Sequence, residues 1–295
     1  MTDTATPATP VPSAASAGSA GSGGDAAAQP ERDAVTYGSF LHLPELLRLQ
    51  GRTTKAHDEL LFQITHQSFE LWFALSLDEL DHVRARLAEG ELSTARAGLR
   101  RLREITRLWL GHIDVLDTMT PGGFNEFRFT LEDSSGFQSV QFRELEMVSG
   151  HKDSRYLRLP GATESELARL RRRFDEPSLR ETFAALLERR GITPDQLYTV
   201  DDAHRDLRDT ADELLSYDAM FHQWRYRHWL IVFRMLGTRR GSAGSAGAQF
   251  LQSTLNQWFF PELQDARAAV YTTPDEPSAE GDGDVVYGCP MGYGT

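Results

Sequence analysis

The chain has 295 residues, of which 40% are hydrophobic and 25% are charged, a composition typical of globular proteins with a sizeable core. Its formal net charge of -12 argues against binding to nucleic acid or to an anionic membrane surface, because either partner requires a basic field. Small-molecule chemistry or a protein partner fits this charge better. A single cysteine, Cys289, excludes a disulfide framework or a thiolate metal cluster within one chain, so we expect a reducing, cytoplasmic setting.

The two ends of the chain differ in composition from its middle. Residues 1–34 consist almost entirely of Ala, Gly, Ser, Thr and Pro, and residues 272–295 are acidic and rich in Gly and Pro. Segments with so little apolar surface do not recover the entropy that they lose on ordering. We therefore predict a disordered leader (1–34), one folded domain (35–271) and an acidic tail (272–295).

The hydrophobic period of the middle segment is helical, and no stretch shows the sustained apolar and polar alternation of a strand. This pattern predicts an all-α domain, in which "TPGG" (120–123) breaks the chain between two helices. No apolar run reaches the roughly 18 residues needed to span a bilayer. The predicted helices cover residues 43–50, 57–88, 93–119, 135–150, 163–174, 177–190, 201–236 and 248–263.

The segment "FHQWRYRHWLIVFRML" (221–236) places an ionisable imidazole on a helix that is expected to be buried. His228 shares a helix face with Phe221, Trp224 and Ile231, so its side chain should point into the core. One interpretation is a core histidine that makes a single hydrogen bond. The other is an axial ligand of haem iron, which requires an imidazole nitrogen projecting from a rigid helix into an apolar slot.

A second long helix repeats this arrangement. In "LLFQITHQSFELWF" (60–73) His66 shares a face with Phe62, Phe69 and Phe73. A structural histidine is again one interpretation. The other is that the two histidines face each other across a planar cofactor, one binding the metal and the other facing the substrate.

An arginine lies among aromatic residues in "FNEFRFTLEDSSGFQS" (124–139). Arg128 follows Phe124, and a helix is predicted to begin after it at Ser135 and Gly136. Such an arginine is suited to a bidentate grip on a carboxylate in a dry pocket, and backbone N–H groups at a helix start favour an anion. The alternative is a surface arginine whose stem packs on phenylalanine.

The segment "RRGSAGSAG" (239–247) combines two arginines with a flexible Gly/Ser loop that could close over a ligand. A plain connector is the alternative, because the leader contains similar runs. The segment lacks the lysine and the preceding strand of a phosphate-binding loop. The sequence also lacks a Gly-x-Ser-x-Gly motif, a His pair spaced i, i+4 for a metal, and the Cys-x-x-Cys-His motif of covalent haem attachment.

Four segments carry a resemblance to a known family, and the match as a whole covers most of residues 36–267. They are "HDELLFQITHQSFELWF", "FNEFRFTLEDSSGFQSVQFRELE", "WRYRHWLIVFRMLGTRRGSAGSAGAQFL" and "FFPELQDAR". In this order they resemble the tryptophan 2,3-dioxygenases, haem enzymes of tryptophan breakdown. The resemblance implies an all-helical homotetramer that holds haem b without covalent attachment and uses O2 as co-substrate to oxygenate tryptophan or a close derivative.

The resemblance also implies roles for single residues. His228 matches the histidine that ligates the haem iron, and His66 matches the distal histidine that accepts a hydrogen bond from the indole N–H. Phe62 matches the aromatic residue that lines the indole pocket. Arg128 matches the arginine that pairs with the substrate carboxylate, and Ser242 matches a loop position that contacts the ammonium and carboxylate groups.

Two further segments match parts of the family that surround the site. Ser135 and Gly136 match the helix start beside the haem. Tyr37, Phe40 and Leu41 match the N-terminal segment that reaches into the pocket of a neighbouring subunit. By this resemblance, the active site would be complete only in the oligomer.

Three positions depart from the family pattern. Phe124 and Phe40 stand where the family usually has tyrosine, and "GSAG" (241–244) replaces the usual "GTGG". A pocket that loses a hydrogen bond and gains space often prefers a different substrate. The first alternative is therefore an enzyme of secondary metabolism that adds one oxygen atom to a modified tryptophan, for instance β-methyltryptophan, to give a 2-oxindole. A second alternative is a protein that binds haem or indole without catalysis.

Overall fold

The computed structural model describes residues 35–132, 134–198, 202–239 and 247–269. Every regular element in these ranges is an α-helix or a short 3-10 helix, and no strand occurs among them, which confirms the all-α prediction. The predicted leader and acidic tail lie outside the described residues. The chain divides into two units, Met1–Leu49 and Gln50–Thr295.

The α-helices are numbered along the chain. They are α1 (Tyr37–Phe40), α2 (Leu43–Leu46), α3 (Asp58–Glu89), α4 (Leu92–Leu116), α5 (Pro121–Phe127), α6 (Val140–Ser149), α7 (Glu164–Asp175), α8 (Leu179–Arg189), α9 (Arg205–Leu236), α10 (Ala248–Ser253) and α11 (Pro261–Ala269).

The first unit contributes two single-turn helices, α1 and α2. Thr36 and Ser39 form a capping box at the start of α1, which the sequence did not predict. The helix predicted over 43–50 ends at Leu46 instead. No residue of α1 or α2 is buried, so packing does not extend these short helices beyond one turn.

Three long helices dominate the second unit, and α4 packs against both α3 and α9. Their bounds lie close to the predicted ones. Gly90 ends α3 in the left-handed conformation, with a φ of 81°, which glycine adopts without strain. A Cβ atom on Gly98 of α4 would lie 2.5 Å from a methyl carbon of Val83, so the absence of a side chain there permits the close approach of α3.

The "TPGG" segment was predicted to separate two helices, but it begins one of them. Thr120 caps α5 by accepting a hydrogen bond of 3.0 Å from the Gly123 N–H, and Pro121 occupies the first helical turn. Proline suits this position because its missing N–H would have no intrahelical partner there. As a result α4 ends at Leu116, and α5 delivers Arg128 at its carboxyl end.

The helix predicted over 135–150 is divided into two elements. Ser135 and Gln138 form a capping box, but it closes only a 3-10 turn at Gly136–Gln138. The α-helix proper, α6, begins after Ser139, whose hydroxyl accepts a hydrogen bond from the Phe142 N–H. The structure thus turns the chain once between Ser135 and the main helix.

The predicted last helix, 248–263, is also interrupted. The structure has α10, a 3-10 turn at Thr254–Asn256 and then α11, which begins at Pro261. The carboxylate of Asp218 on α9 accepts hydrogen bonds of 2.9 and 3.1 Å from the Phe259 and Phe260 N–H groups just before that proline. This contact and the proline end the helix where the hydrophobic pattern alone predicts its continuation.

The helices predicted over 163–174 and 177–190 are confirmed as α7 and α8, each with a capping box, at Thr163 and Ser178. A search of the described helices for one both long and apolar enough to cross a membrane finds none.

Candidate active site

A cavity in the second unit lies among α3, α5, α6, α9 and α10. Its walls are mainly aromatic and aliphatic, and it encloses about 1420 Å³ when its opening to solvent is counted. An apolar lining with a few polar and charged side chains is typical of a binding site for a small molecule or a cofactor. The cavity brings together seven of the predicted site residues: Phe62, His66, Phe124, Arg128, Ser135, Gly136 and His228.

His66 reaches the cavity from α3 in a defined orientation. Its Nδ1 lies 2.7 Å from the backbone carbonyl oxygen of Phe62. A carbonyl oxygen only accepts, so Nδ1 carries the proton, and in the neutral ring Nε2 is left as an acceptor. Burial lowers the pKa of His66 below its ordinary value, although the carbonyl and the charge of Glu70 act in the opposite direction. The imidazole is therefore neutral at pH 7.

His228 reaches the same cavity from α9. Its ring stacks on Trp224, one turn earlier, with ring centres 5.0 Å apart and an angle of 24° between the planes. Burial, together with the nearby His66 and Arg143, lowers the pKa of His228 to about 4. Among the described residues, none makes a hydrogen bond to this imidazole. An aromatic stack thus fixes the ring plane of a neutral imidazole.

Arg128 lies in the cavity wall beside the aromatic residues near α5. Its guanidinium carbon is 6.0 Å from the centre of the Phe124 ring. That ring packs against Phe62 at 5.9 Å and against the buried Phe127 at 5.5 Å. The arrangement joins a cation to an aromatic wall, which suits a ligand with a planar apolar part and a carboxylate.

Ser135 and Gly136 line the cavity at the 3-10 turn. The Ser135 N–H donates to the side-chain oxygen of Gln138 at 3.1 Å, and the Phe137 N–H donates to the Ser135 hydroxyl. These two groups are therefore engaged by the cap, which limits the anion site expected at this helix start. A Cβ atom on Gly136 would meet no atom within 4 Å, so open space lies beside it.

Four charged residues that the sequence analysis did not single out also line the cavity: Glu70, Arg143, Glu146 and Arg225. Their helical spacing is the signal that could have identified them. Glu70 lies one turn after His66, and Arg225 lies one turn before His228. Arg143 and Glu146 are spaced i, i+3 and form a buried ion pair.

Glu70 links two walls of the cavity. Its carboxylate accepts hydrogen bonds from the Ser139 hydroxyl at 2.6 Å and from the Gln141 side-chain amide at 2.8 Å. These bonds connect the middle of α3, where His66 lies, to the start of α6. They hold the 3-10 turn and the histidine in a fixed relation.

The remaining predicted site residues lie in two other parts of the chain. Ser242 lies outside the described residues. Tyr37, Phe40 and Leu41 belong to the first unit, and their exposed fractions are 77%, 72% and 39%. Aromatic side chains exposed to this extent suit a contact with another molecule.

Comparison with known proteins gives a consistent result. The sequence profile of the family described as tryptophan 2,3-dioxygenase matches residues 22–195 and 180–270. A tryptophan 2,3-dioxygenase from Nocardioides sp. is 42% identical over 251 residues, which cover 79% of this chain and 94% of the relative. Enzymes of the same name from Herpetosiphon aurantiacus and Xanthomonas campestris are 38% and 34% identical, covering 80% and 84% of this chain and 98% and 92% of the relatives. Because the match extends over most of the chain, this protein belongs to the tryptophan 2,3-dioxygenase family and is an oxidoreductase.

Proposed function

We propose that the protein uses haem and O2 to oxygenate the indole C2=C3 bond of L-tryptophan, which opens the pyrrole ring and gives N-formylkynurenine. The observation that carries the proposal is the presence of two histidines, His66 of α3 and His228 of α9, in the walls of one large apolar cavity. Arg128 in the same cavity supplies a counter-charge for an amino-acid carboxylate.

The residues of the cavity fit haem b held by His228. An axial ligand requires an imidazole on a rigid helix in an apolar slot, and His228 meets this requirement. Within the described ranges no three His, Cys, Asp or Glu side chains form a metal site, and a macrocycle that supplies ligands of its own needs only one imidazole from the protein. When bound, haem would supply the oxygen chemistry, while the protein supplies binding and orientation.

His66 has the role of orienting the indole ring in this proposal. Its Nδ1 proton is committed to the Phe62 carbonyl, so Nε2 accepts the hydrogen bond from the indole N–H. The Phe62 ring, 4.0 Å from the imidazole, would pack against the same indole. Removal of the indole proton is not required, because that N–H is a very weak acid.

The amino-acid end of the substrate is assigned to Arg128 and Ser242. The planar guanidinium of Arg128 suits a bidentate contact with the carboxylate, and the Ser242 hydroxyl would add a hydrogen bond. Phe124 would lie against the side-chain carbons of the substrate, and Ser135 and Gly136 would lie beside the haem. Fixing both ends of the substrate converts a bimolecular encounter into a positioned one.

The proposal is tested by the mass of the product. The haem-loaded, reduced protein is given L-tryptophan and, separately, β-methyltryptophan, each with isotope-labelled O2. Gain of two labelled oxygen atoms with L-tryptophan as the better substrate is the expected result. An absence of labelled product with every indole substrate, although haem is bound, would contradict the proposal.

A second candidate is oxygenation of a modified tryptophan, and Phe124 is the observation that favours it. Its ring presents no hydroxyl to the cavity beside Arg128, where a tyrosine would offer a hydrogen bond. An apolar wall at this point accommodates an extra methyl group on the substrate β-carbon. Gain of a single labelled oxygen atom, as in a 2-oxindole, or a strong preference for β-methyltryptophan would establish this candidate.

We also propose that the protein is a homotetramer in which Tyr37, Phe40 and Leu41 complete the site of a neighbouring subunit. Support comes from the exposure of these residues and from exposed apolar side chains on the long helices, such as Leu71 (60%) and Val115 (52%). Light scattering should give a mass of four chains. Phe40→Ala should weaken substrate binding without loss of haem, and an active monomer would contradict this assembly.

The domain organisation stays a proposal as well: a catalytic domain at 35–271, a leader, an acidic tail and a cytoplasmic location. The composition of both ends supports it. Limited proteolysis should remove residues at both ends first and leave a haem-binding core of about this size. Early cleavage inside α3 or α9 would contradict it.

A further inference from the structure

One wall of the cavity contains a group of three buried charges on two helices. Arg143 and Glu146 belong to α6, and Arg225 belongs to α9. Their exposed fractions are only 4%, 1% and 4%. All three line the cavity that holds the two histidines. We call this group the charge triad.

The charge triad shares one carboxylate between two guanidinium groups. Glu146 Oε2 accepts a hydrogen bond of 2.6 Å from Arg143, and Glu146 Oε1 accepts one of 2.9 Å from Arg225. Two positive charges and one negative charge leave one positive charge in excess. Glu146 is thus fully engaged. No second carboxylate forms an ion pair with Arg143 or Arg225 among the described residues, and the buried Asp218 interacts with Arg225 only over a longer distance.

Aromatic rings and neutral oxygens accommodate the excess charge. The Arg143 guanidinium lies 4.8 Å from the Phe137 ring centre and 4.4 Å from that of Tyr156, whose hydroxyl accepts a hydrogen bond of 3.2 Å from it. Arg225 lies over the Phe221 ring at 5.0 Å and donates to backbone carbonyls near the end of α10. Rings and carbonyls stabilise a cation but do not neutralise it.

The excess charge lies on the side of the cavity that carries His228. Arg225 precedes His228 by three residues, which is nearly one helical turn on the same face of α9. On α3, Glu70 follows His66 by four residues, about one helical turn, so it also lies on the same helix face as its histidine. The two walls therefore differ in sign: a carboxylate accompanies His66, and the positive triad accompanies His228.

We propose that the charge triad raises the ferric/ferrous reduction potential of iron held by His228. This inference rests on the proposed function. Reduction of ferric to ferrous iron adds one electron and lowers the local charge by one. A fixed positive charge in a poorly hydrated site therefore stabilises the ferrous form, the state in which a haem oxygenase takes up O2. Arg143, Glu146 and Arg225 would act on the iron through their electric field and not through contact with the substrate.

A purely structural triad would hold α6 against α9 and would have no directional effect on the potential. Substitutions that alter the charge in opposite directions separate the two roles. Glu146→Gln keeps the shape and removes a negative charge. Arg143→Gln removes a positive charge. Arg143→Lys keeps the positive charge but replaces the planar guanidinium by an ammonium group.

Glu144 offers a matched control on the same helix. It is 1% exposed, like Glu146, and it also pairs with arginines, Arg169 and Arg173 of α7. It does not line the cavity. Glu144→Gln therefore reproduces the loss of a buried, paired carboxylate away from His228.

The experiment is a spectroelectrochemical titration of the full-length, haem-loaded protein, in which electrodes supply the electron and the visible absorption reports the iron state. We expect a higher midpoint potential for Glu146→Gln, a lower one for Arg143→Gln, and values near wild type for Arg143→Lys and Glu144→Gln. Thermal unfolding of each holoprotein shows which variants are folded, and Glu146→Gln alone decides the sign if Arg143→Gln does not fold.

The inference is overturned if Glu146→Gln lowers the potential or leaves it unchanged, or if Glu144→Gln shifts it equally. If the wild-type protein binds haem but the variants do not show this order of potentials, the inference fails and the proposed function stays intact. A wild-type protein that binds no haem would remove both.

Discussion

The two longest helices present one histidine each to the cavity but hold it in different ways. α3 and α9 have 32 residues each. His66 is oriented by a hydrogen bond to a carbonyl of its own helix, which also fixes the tautomer. His228 is oriented by an aromatic stack. A hydrogen bond at one nitrogen leaves a defined acceptor at the other, whereas a stack fixes the ring plane and leaves the nitrogens for a metal.

The difference suggests a division of work between the walls. In the proposed enzyme, His66 of α3 binds the indole N–H as a neutral hydrogen-bond acceptor, and His228 of α9 binds the iron near the positively charged triad. Under this proposal the same residue type would perform two tasks because its neighbours differ: Phe62 and Glu70 on one wall, Trp224 and Arg225 on the other. Each substitution below tests one side of this comparison.

The largest effect is expected from the α9 histidine. His228→Gly should weaken haem binding by at least about 100-fold, since even the residues that support a metal ligand are worth 10- to 100-fold. Haem binding is measured by absorption of the bound pigment. Added imidazole should restore it by entering the space left by the side chain, and failure of imidazole to do so in a folded variant would argue that His228 is not the ligand.

The α3 histidine should have a smaller and different effect. His66→Ala should retain haem, and kcat/KM for L-tryptophan should fall about 10- to 100-fold because one buried hydrogen bond is lost. 1-Methyl-L-tryptophan, which has no indole N–H, is the matched substrate. The wild type should prefer L-tryptophan over it, and the variant should lose this preference. An unchanged preference would exclude the proposed hydrogen bond.

The parts of the two walls that could be predicted are those that depend on patterns local in the sequence. The bounds of α3 and α9 follow from the sequence because an amphipathic period over many turns outweighs any single residue. His66 and His228 lie on the apolar faces of these helices, which is why both could be singled out as candidates for the same cavity. Their roles in binding indole and iron stay proposals.

Features that depend on distant partners could not be predicted in the same way. Arg225 and Glu146 are 79 positions apart in the chain, and each taken alone is typical of a solvated helix face. The break between α10 and α11 depends on Asp218, which contacts backbone groups 41 and 42 residues later. In both cases the structure depends on a tertiary contact that the local sequence pattern does not indicate.

A hydroxyl added to the cavity should have a modest effect on substrate choice. Phe124→Tyr restores the group that the family usually has beside the arginine, so preference for L-tryptophan over β-methyltryptophan should rise about 2- to 10-fold, the value of one hydrogen bond. Phe129→Tyr is the control, because Phe129 is 84% exposed. Equal changes in both variants would show that Phe124 does not face the substrate.

The smallest effect on turnover is expected from substitution of two buried carboxylates, one on each long helix. Their effects on the free energy of unfolding should instead change in opposite directions with pH. Four hydrogen bonds from Thr53 and Thr54 lower the pKa of Glu59 on α3 to about 2. Burial raises the pKa of Asp218 on α9 to about 6, against the effect of its two backbone hydrogen bonds.

The signs follow from the protons bound by the folded and unfolded chains. Glu59 stabilises the fold above its unfolded pKa, and this contribution is lost as the pH falls towards 2, so the difference between wild type and Glu59→Gln should shrink on acidification. Asp218 binds its proton more tightly in the folded state, so wild type should gain stability relative to Asp218→Asn, on the order of 2 kcal/mol, as the pH falls from 7 to 4. Denaturant titrations from pH 7 down to about pH 2 measure both differences. Parallel slopes for the two variants would mean that the carboxylates share one environment and that the two helices are not distinguished in this way.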